Sequence, residues 1–246
     1  MRNILSTLHD LIFVPKCGGC HTRMRNLEDG MCTSCHRLYL DEKDEFCDFC
    51  GLSASICTCI PQNMMIGGCI DYRKLIFYRK NPHTAPIHNM FYSVKRSYNL
   101  ALIDFFADEL YKIDKGMLPK DCVVTYAPRL KKSVKKYGYD HGKLLAEKYA
   151  KVGEYRFETL IKRKNKYGRS EQKLLNFRQR AANVKDVFSV TDEKAAQGKH
   201  IILIDDVVTS GATLGECVSV LYAAGARSVT CRSIAHTYRK NKQKNY

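Results

Sequence analysis

Ile201-Ile202-Leu203-Ile204-Asp205-Asp206-Val207-Val208-Thr209-Ser210-Gly211-Ala212-Thr213 is the stretch that decides the fold. Its apolar, β-branched first half predicts a buried strand, and the residues after Gly211 have the periodicity of a helix. A loop of small residues between a strand and a helix turns several backbone N–H groups towards one anion, where the helix adds its positive end. The stretch therefore predicts an α/β protein with a phosphate-binding loop.

Two carboxylates stand directly before this loop, where they would repel a phosphate unless they have another partner. Asp205 and Asp206 could accept hydrogen bonds from a sugar diol, or share a Mg²⁺ ion with other phosphates of the ligand. A phosphorylated ribose satisfies both requirements. The alternative is a buried strand and turn in which the acidic pair occurs by chance.

In order and residue type this run resembles the 5-phosphoribosyl-1-pyrophosphate (PRPP) motif of the type I phosphoribosyltransferases, with Thr209-Ser210-Gly211 in place of a Thr-Thr-Gly loop. The resemblance implies a parallel α/β sheet with helices on both faces. It also implies that Asp205 and Asp206 are the catalytic pair. The implied PRPP-binding set is Asp205, Asp206, Val208, Thr209, Ser210, Gly211, Ala212 and Thr213.

Charge is unevenly distributed along the 246 residues, whose formal net charge is +16. Residues 1–70 hold six Lys and Arg against eight Asp and Glu, so the strongly basic part is residues 71–246. Such a field attracts phosphate-rich partners, whether PRPP, nucleotides or nucleic acid, although solvated basic surface is the ordinary alternative for any one cluster. No apolar run approaches the roughly 20 residues of a membrane span and no signal peptide is evident, so we expect a cytoplasmic protein without membrane insertion.

Nine of the twelve cysteines precede residue 70, and eight of them form three C-x-x-C pairs and one C-x-C pair. This spacing predicts structural zinc, because each pair turns two thiolates towards one point and two pairs complete a tetrahedral site. The eight candidate zinc ligands are Cys17, Cys20, Cys32, Cys35, Cys47, Cys50, Cys57 and Cys59. The simplest arrangement joins neighbouring pairs into one or two zinc sites, and an interleaved one stays open. Disulfides or a redox role are the alternatives. The other cysteines and the flanking His21 and His36 are not expected to bind metal.

The chemistry of the chain changes near residue 66, which predicts a zinc-ribbon module over residues 1–66 and an α/β domain over residues 67–246. Pro82 and Pro86 punctuate the stretch that follows, and residues 87–111 have helical periodicity with Asn99 as a candidate start. Lys95 could approach a phosphate, although an exposed lysine is the ordinary interpretation.

A second ligand-binding loop is predicted after the apolar run 122–126, which is typical of a buried strand. Ala127, Pro128 and Arg129 follow that strand and open a lysine-rich run. Open α/β sheets bind ligands at the carboxyl ends of their strands, so these three residues are the candidate pyrophosphate loop. Farther along, the basic segment 162–188 carries Gln172, Leu175, Arg180, Asn183 and Phe188. It predicts either a loop that closes over a diphosphate or a solvated surface helix.

Together these features resemble the ComF family, in which an N-terminal zinc ribbon precedes a phosphoribosyltransferase domain and which is associated with DNA uptake in natural competence. Residues 135–141 resemble its R-G-F-N-Q segment, with Asp140-His141 replacing Asn-Gln, and Gln172, Arg180, Asn183 and Phe188 resemble a second segment. The resemblance implies structural Zn²⁺, and Mg²⁺ bound with PRPP. Its implied partners are PRPP, single-stranded DNA and a competence helicase-type protein.

Two functions follow from this reading. The first is Mg²⁺-dependent phosphoribosyl transfer from PRPP to an amine or nucleobase acceptor. The second is a non-catalytic accessory protein that senses PRPP or nucleotides and holds single-stranded DNA on its basic face, with tyrosines for base stacking.

Overall fold

The computed structural model describes residues 14–24, 29–78, 82–164 and 187–237. Its centre is a parallel sheet of five strands in the order β1-β7-β6-β2-β3, where β1 is Asp71–Tyr78, β2 is Val123–Tyr126, β3 is Arg156–Phe157, β6 is His200–Val208 and β7 is Ser228–Thr237. A separate antiparallel pair consists of β4 (Ile161–Arg163) and β5 (Phe188–Val190). The helices are α1 (Thr33–Lys43), α2 (Gln62–Gly67), α3 (Ala85–Arg96), α4 (Leu100–Asp114), α5 (Lys131–Tyr137), α6 (His141–Gly153), α7 (Glu193–Ala196) and α8 (Ala212–Ala223).

Helices cover both faces of this sheet, which confirms the predicted fold class. Ile202 and Ile204 of β6 point to the face covered by α3, α4 and α6. Ile201 and Leu203 point to the opposite face, against α2 and α8. Both faces of β6 are buried, which is why the strand has a continuous apolar run and no alternation.

Two parts of the predicted organisation are corrected by the structure. β1 was not predicted, because charged residues interrupt it and Pro82 and Pro86 follow it closely. The single helical stretch over residues 87–111 is two helices, α3 and α4, separated where Tyr98 takes a positive φ of 49°. Asn99 begins α4 as predicted, since its side chain accepts a hydrogen bond from the Leu102 backbone N–H at 3.1 Å.

The cysteine-rich segment packs directly on the sheet and its helices. Cys17 and Cys35 are buried in the same core as Leu102 of α4 and Ile202 of β6. Asn89 of α3 donates a hydrogen bond to the Gly19 carbonyl at 2.8 Å. The division into residues 1–66 and 67–246 stays a prediction, and the segment before residue 67 contributes to the main core.

A buried ion-pair network ties β7 to α4 and β1. Arg232 is fully buried, and its Nε lies 2.6 Å from Asp114 Oδ2 while its Nη2 lies 2.7 Å from Asp71 Oδ2. Tyr149 of α6 donates to Asp114 Oδ2 at 2.6 Å. A guanidinium and a carboxylate buried this deeply depend on each other, because neither can recover its hydration.

Within the described ranges, none of the helices combines the length and apolar character that crossing a lipid bilayer would require.

Candidate functional site

The strand β6, the following turn and helix α8 form the predicted phosphate-loop geometry at the carboxyl edge of the sheet. β6 ends at Val208, and α8 begins after Gly211. Gly211 has a φ of 73°, a left-handed conformation that a side chain would strain, so glycine is required at this turn. Thr209 is exposed at the tip, whereas Ser210 is buried. Ala212 and Thr213 form the first turn of α8, where backbone N–H groups lack acceptors within the helix.

The two predicted carboxylates leave β6 towards opposite faces of the sheet, as neighbouring residues of a strand do. Asp206 is 7% exposed, and its Oδ2 contacts both the Lys95 ammonium, at 3.0 Å, and the His141 Nε2. Asp205 is partly buried, and its Oδ1 accepts the Asp206 backbone N–H at 2.9 Å. The acidic pair is therefore asymmetric, since among the described residues two cationic side chains pair with Asp206 and none lies within ion-pair distance of Asp205.

This asymmetry separates the two carboxyl groups electrostatically. Burial and the neighbouring Asp206 charge raise the pKa of Asp205 well above its usual value. Burial also disfavours the charged form of Asp206, but the Lys95 ammonium and the His141 ring outweigh it and hold the pKa of Asp206 well below its usual value. Near neutral pH Asp206 is the fixed anion of the pair, and Asp205 is the carboxyl group whose charge is unfavourable until a cation or a hydrogen-bond donor arrives.

The predicted pyrophosphate loop lies beside this acidic pair. β2 and β6 are neighbours, and the Ala127 backbone N–H donates to the Ile204 carbonyl at 3.0 Å, which extends the pairing into the loop. The Arg129 backbone N–H donates to Asp140 Oδ2 at 3.3 Å, and its guanidinium lies 5.6 Å from the centroid of the Tyr137 ring. The two halves of the predicted site, residues 127–129 and residues 205–206, thus lie at the ends of adjacent strands.

His141 and Lys95 lie at the candidate site, where sequence reasoning did not assign His141 and gave Lys95 only as a residue that could approach a phosphate. Asp140 is the N-cap of α6 and accepts from the Gly142 and Lys143 backbone N–H groups, which places His141 at the start of the helix and against Asp206. His141 is 3% exposed, and its Nδ1 is buried without a hydrogen-bond partner among the described residues. The available signal was the departure Asp140-His141 from the family segment.

Lys95 reaches the site from the last turn of α3. Its backbone carbonyl accepts a hydrogen bond from Arg129 Nη1 at 3.4 Å, so α3 and the loop after β2 hold each other. The Lys95 side chain is 34% exposed, which leaves its ammonium partly open to solvent above Asp206. It is a cation that could contact either the carboxylate or an incoming anion.

The eight predicted zinc ligands form two compact clusters, and their pairing is the sequential one. We call the first cysteine cluster Cys17, Cys20, Cys32 and Cys35, and the second Cys47, Cys50, Cys57 and Cys59; within each, all sulfur atoms lie within 4.8 Å of one another. Tetrahedral zinc with Zn–S bonds of about 2.3 Å requires S···S separations of about 3.8 Å. The observed Sγ···Sγ distances of 3.7 Å for Cys20–Cys32 and 3.6 Å for Cys50–Cys57 fit that requirement.

Backbone N–H groups also contact a sulfur atom of the first cysteine cluster. The Cys32 and Gly19 backbone N–H groups donate to Cys17 Sγ at 3.2 and 3.4 Å. None of the described cysteines forms a disulfide, so each cluster offers four sulfur atoms in an arrangement that fits zinc. Neither His21 nor His36 belongs to a cluster.

Part of the basic segment 162–188 lies outside the described residues. Gln172, Leu175, Arg180 and Asn183 lie outside the described residues, as does the basic run predicted as a C-terminal tail, Arg239 to Lys244. Phe188 is described and is fully buried in β5, where the Arg163 guanidinium lies 5.1 Å from its ring centroid. Phe188 therefore lies in the hydrophobic core.

Curated relatives of the chain are DNA utilization proteins. The chain is 24% identical over 216 residues to DNA utilization protein YhgH of Escherichia coli O6:H1, which covers 85% of this chain and 91% of the relative. The matches to YhgH of Escherichia coli K12 and of Shigella flexneri have the same identity and coverage. No family model matches the chain. The chain is thus a distant homologue of a DNA utilization protein, in agreement with the family resemblance of its motifs.

Solved structures similar to the chain include enzymes of phosphoribosyl metabolism. The allosteric regulatory enzyme of purine biosynthesis matches 55% of this chain with 21% identity and a TM-score of 0.39. Glutamine PRPP amidotransferase from B. subtilis matches 59%, with 21% identity and a TM-score of 0.36; each match covers 26% of the longer enzyme chain. Adenine phosphoribosyltransferase from Saccharomyces cerevisiae matches 61% of this chain and 72% of its own, with 17% identity and a TM-score of 0.35.

Proposed function

We propose that the carboxyl edge of the sheet binds PRPP together with Mg²⁺, and that the protein is a cytoplasmic phosphoribosyltransferase-like component of DNA uptake. The observation that carries the proposal is the meeting of three parts at the ends of β2 and β6. These parts are the loop 209–211, the acidic pair Asp205 and Asp206, and the basic loop 127–129. Together they match the three groups of PRPP, namely its 5-phosphate, its ribose diol and its diphosphate.

The 5-phosphate belongs in the loop between β6 and α8. Backbone N–H groups of the loop and of the first turn of α8 donate to its oxygens, and the Thr209 hydroxyl is exposed for the same purpose. Gly211 allows the left-handed turn that joins the loop to α8. These features recognise a terminal phosphate without requiring a charged side chain within the loop.

The ribose diol belongs on the acidic pair. Burial and the Asp206 charge raise the pKa of Asp205, so its ionised form is costly. The hydroxyl groups of the ribose diol would donate hydrogen bonds to Asp205 and lower that cost. Asp206 stays ionised between Lys95 and His141, which fixes the position of its carboxylate. The hard oxygen donors of the pair also suit Mg²⁺, which would supply neutralising charge for the diphosphate when bound.

Transfer would break the bond between C1 of the ribose and the diphosphate oxygen, and the electron pair would leave with the diphosphate. Arg129 and the partly exposed Lys95 are the protein cations beside the leaving group. The oxocarbenium-like carbon would then be captured by an amine or nucleobase nitrogen. The contribution of the chain is positioning and charge stabilisation, and the acceptor supplies the new bond.

Calorimetry with Mg-PRPP tests the proposal. The wild-type chain should bind, and Asp205→Asn with Asp206→Asn should abolish binding. Asp121→Asn is the matched control, because it removes an exposed carboxylate that precedes β2 at the opposite edge of the sheet. Equal affinity for all three chains would contradict the proposed site. A screen of amines and nucleobases for pyrophosphate release then separates transfer from binding alone.

A second candidate function is the binding of single-stranded DNA in support of a helicase-type partner. The observation that favours it is α5, a helix that contains four lysines and Tyr137 and has no buried residue. A salt titration of DNA affinity measures this directly, because each phosphate contact contributes about 0.7 to the logarithmic slope. The double variant Lys131→Ala with Lys135→Ala should reduce the slope of DNA affinity against salt concentration. An unchanged slope would exclude α5 from the DNA interface.

A further inference from the structure

Helix α2 contacts the candidate phosphate loop, residues 209–211. Among the described contacts, it is the only short helix with a side-chain hydrogen bond to that loop. Asn63 Nδ2 donates to the Ser210 carbonyl at 2.7 Å. Since a trans peptide is planar, its carbonyl and its N–H point in opposite directions. Holding the Ser210 carbonyl against α2 therefore turns the Gly211 N–H away from α2, towards the open side of the loop.

The backbones of α2 and α8 are in direct contact around this hydrogen bond. A Cβ atom on Gly67 would lie 2.3 Å from the Gly215 carbonyl oxygen, and one on Gly215 would lie 2.2 Å from the Asn63 carbonyl oxygen. A Cβ on Gly211 would lie 2.8 Å from Met64. Because the contact has no spare space, any displacement of α2 is transmitted to the loop.

The second cysteine cluster directly precedes α2, at the same end of the helix as Asn63. Cys59, its last ligand, is followed after one residue by Pro61, the N-cap of α2. The Cys57 carbonyl accepts from Lys74 Nζ at 2.9 Å, and Lys74 is fully buried on β1. None of the ion pairs between described residues gives Lys74 a carboxylate partner. Zinc held by four thiolates carries net negative charge, which suits a buried ammonium at this place.

We propose that Asn63 is a positioning residue for the phosphate loop, and that metal at the second cysteine cluster holds α2, and through Asn63 the loop, in its binding conformation. The inference rests on the proposed function for its ligand, since it assigns to the zinc module a role in recognising the 5-phosphate. The link between α2 and the loop itself does not require PRPP.

The first test uses amide hydrogen exchange of residues 209–213 in the full-length, zinc-loaded chain. Asn63→Asp removes the donor with little change of shape, and it should speed exchange in the loop about five- to tenfold, the effect of losing one hydrogen bond. Gln62→Ala, on the exposed side of the same helix, should leave exchange unchanged. Equal exchange in Asn63→Asp and wild type would overturn the assignment, provided that both retain the same zinc content.

The second test measures zinc release to a chelator, because coupling between two sites acts equally in both directions. Asn63→Asp should speed the release of one zinc per chain and leave the other unchanged. Mg-PRPP added to the wild type should slow the release of the same zinc, and Mg-PRPP should bind Asn63→Asp about five- to tenfold more weakly. Release that does not respond to Asn63→Asp would refute the metal link. If exchange and release respond as expected but PRPP does not bind the wild type, the proposed ligand is wrong and the α2 link stands.

Discussion

The contact between α2 and α8 gives the sharpest prediction about stability. In Gly215→Ala the new Cβ would lie 2.2 Å from the Asn63 carbonyl oxygen, whereas Cβ atoms essentially never approach other atoms within 3.0 Å. The helices must therefore separate by at least about 0.8 Å. A rigid movement of that size would lengthen the hydrogen bond from Asn63 to Ser210 from 2.7 Å to as much as about 3.5 Å, the limit of a useful contact.

The energetic cost has two opposing parts. Forcing extra volume into a packed contact costs about 1–3 kcal/mol, and replacing glycine by alanine within a helix returns up to about 1 kcal/mol. We expect Gly215→Ala to lower the free energy of unfolding by about 1–2 kcal/mol, which corresponds to a fall in Tm of roughly 2–8 °C for a chain of this size. Faster amide exchange in the phosphate loop should accompany it.

Urea unfolding, followed by circular dichroism at fixed zinc concentration, measures this change. Ala223→Ser, at an exposed position about two turns farther along α8, is the control and should be nearly neutral. Gly67→Ala disturbs the same contact from the other helix, so the double variant should cost much less than the sum of the single variants. Undiminished stability in Gly215→Ala would refute the close approach of the two helices.

Four further outcomes follow from the charges and the metal ligands. Asp114→Ala leaves the buried Arg232 guanidinium without its main partner and should cost about 3–5 kcal/mol in urea unfolding, much of which Asp114→Leu with Arg232→Met should restore. Asp205→Asn removes a carboxyl group whose pKa is raised on folding and whose charge therefore destabilises the folded chain. In thermal melts across a range of pH, the variant should be more stable than wild type by about 1 kcal/mol above pH 5 and equally stable below about pH 4. The pKa of Asp206 is lowered on folding, so its pairing with Lys95 and His141 stabilises the chain at neutral pH, and this stability is lost on acidification below about pH 4. In acid titrations of stability, Lys95→Met should show a smaller loss than wild type. A chelator that removes about two zinc ions per chain should abolish the cooperative melt, and a melt unaffected by chelation would contradict structural zinc.

The parts predicted correctly from sequence are those set by local patterns. The apolar run of β6 and Gly211 after it give a strand, a turn and a helix within thirteen residues, and cysteine spacing gives the two clusters. Asn99 was recognisable as a helix start because capping involves residues only three apart. These features are decided by neighbours along the chain, which sequence displays directly.

The parts that sequence did not give depend on distant partners. The pairing of Lys95 and His141 with Asp206 joins three segments that only the folded sheet brings together. β1 was missed because Lys74 and Arg73 resemble surface residues, whereas Lys74 is fully buried beside the second cysteine cluster. The role of α2 was likewise invisible, since nothing local distinguishes Asn63 from an ordinary helix residue.

The shared core of the first cysteine cluster has a consequence for how the chain is made. Cys17 and Cys35 pack in one core with Ile202 and Ile234, which leave the ribosome long after them. Metal capture needs only ligands that are close in sequence, so the cysteine segment can fold around its ions while the last strands are still being synthesised. The apolar side of the cysteine segment would then stay exposed until the strands of the sheet are synthesised and pack against it. We expect nascent chains that stop before β7 to hold zinc yet to be bound by chaperones, and release to follow the synthesis of residues 228–237.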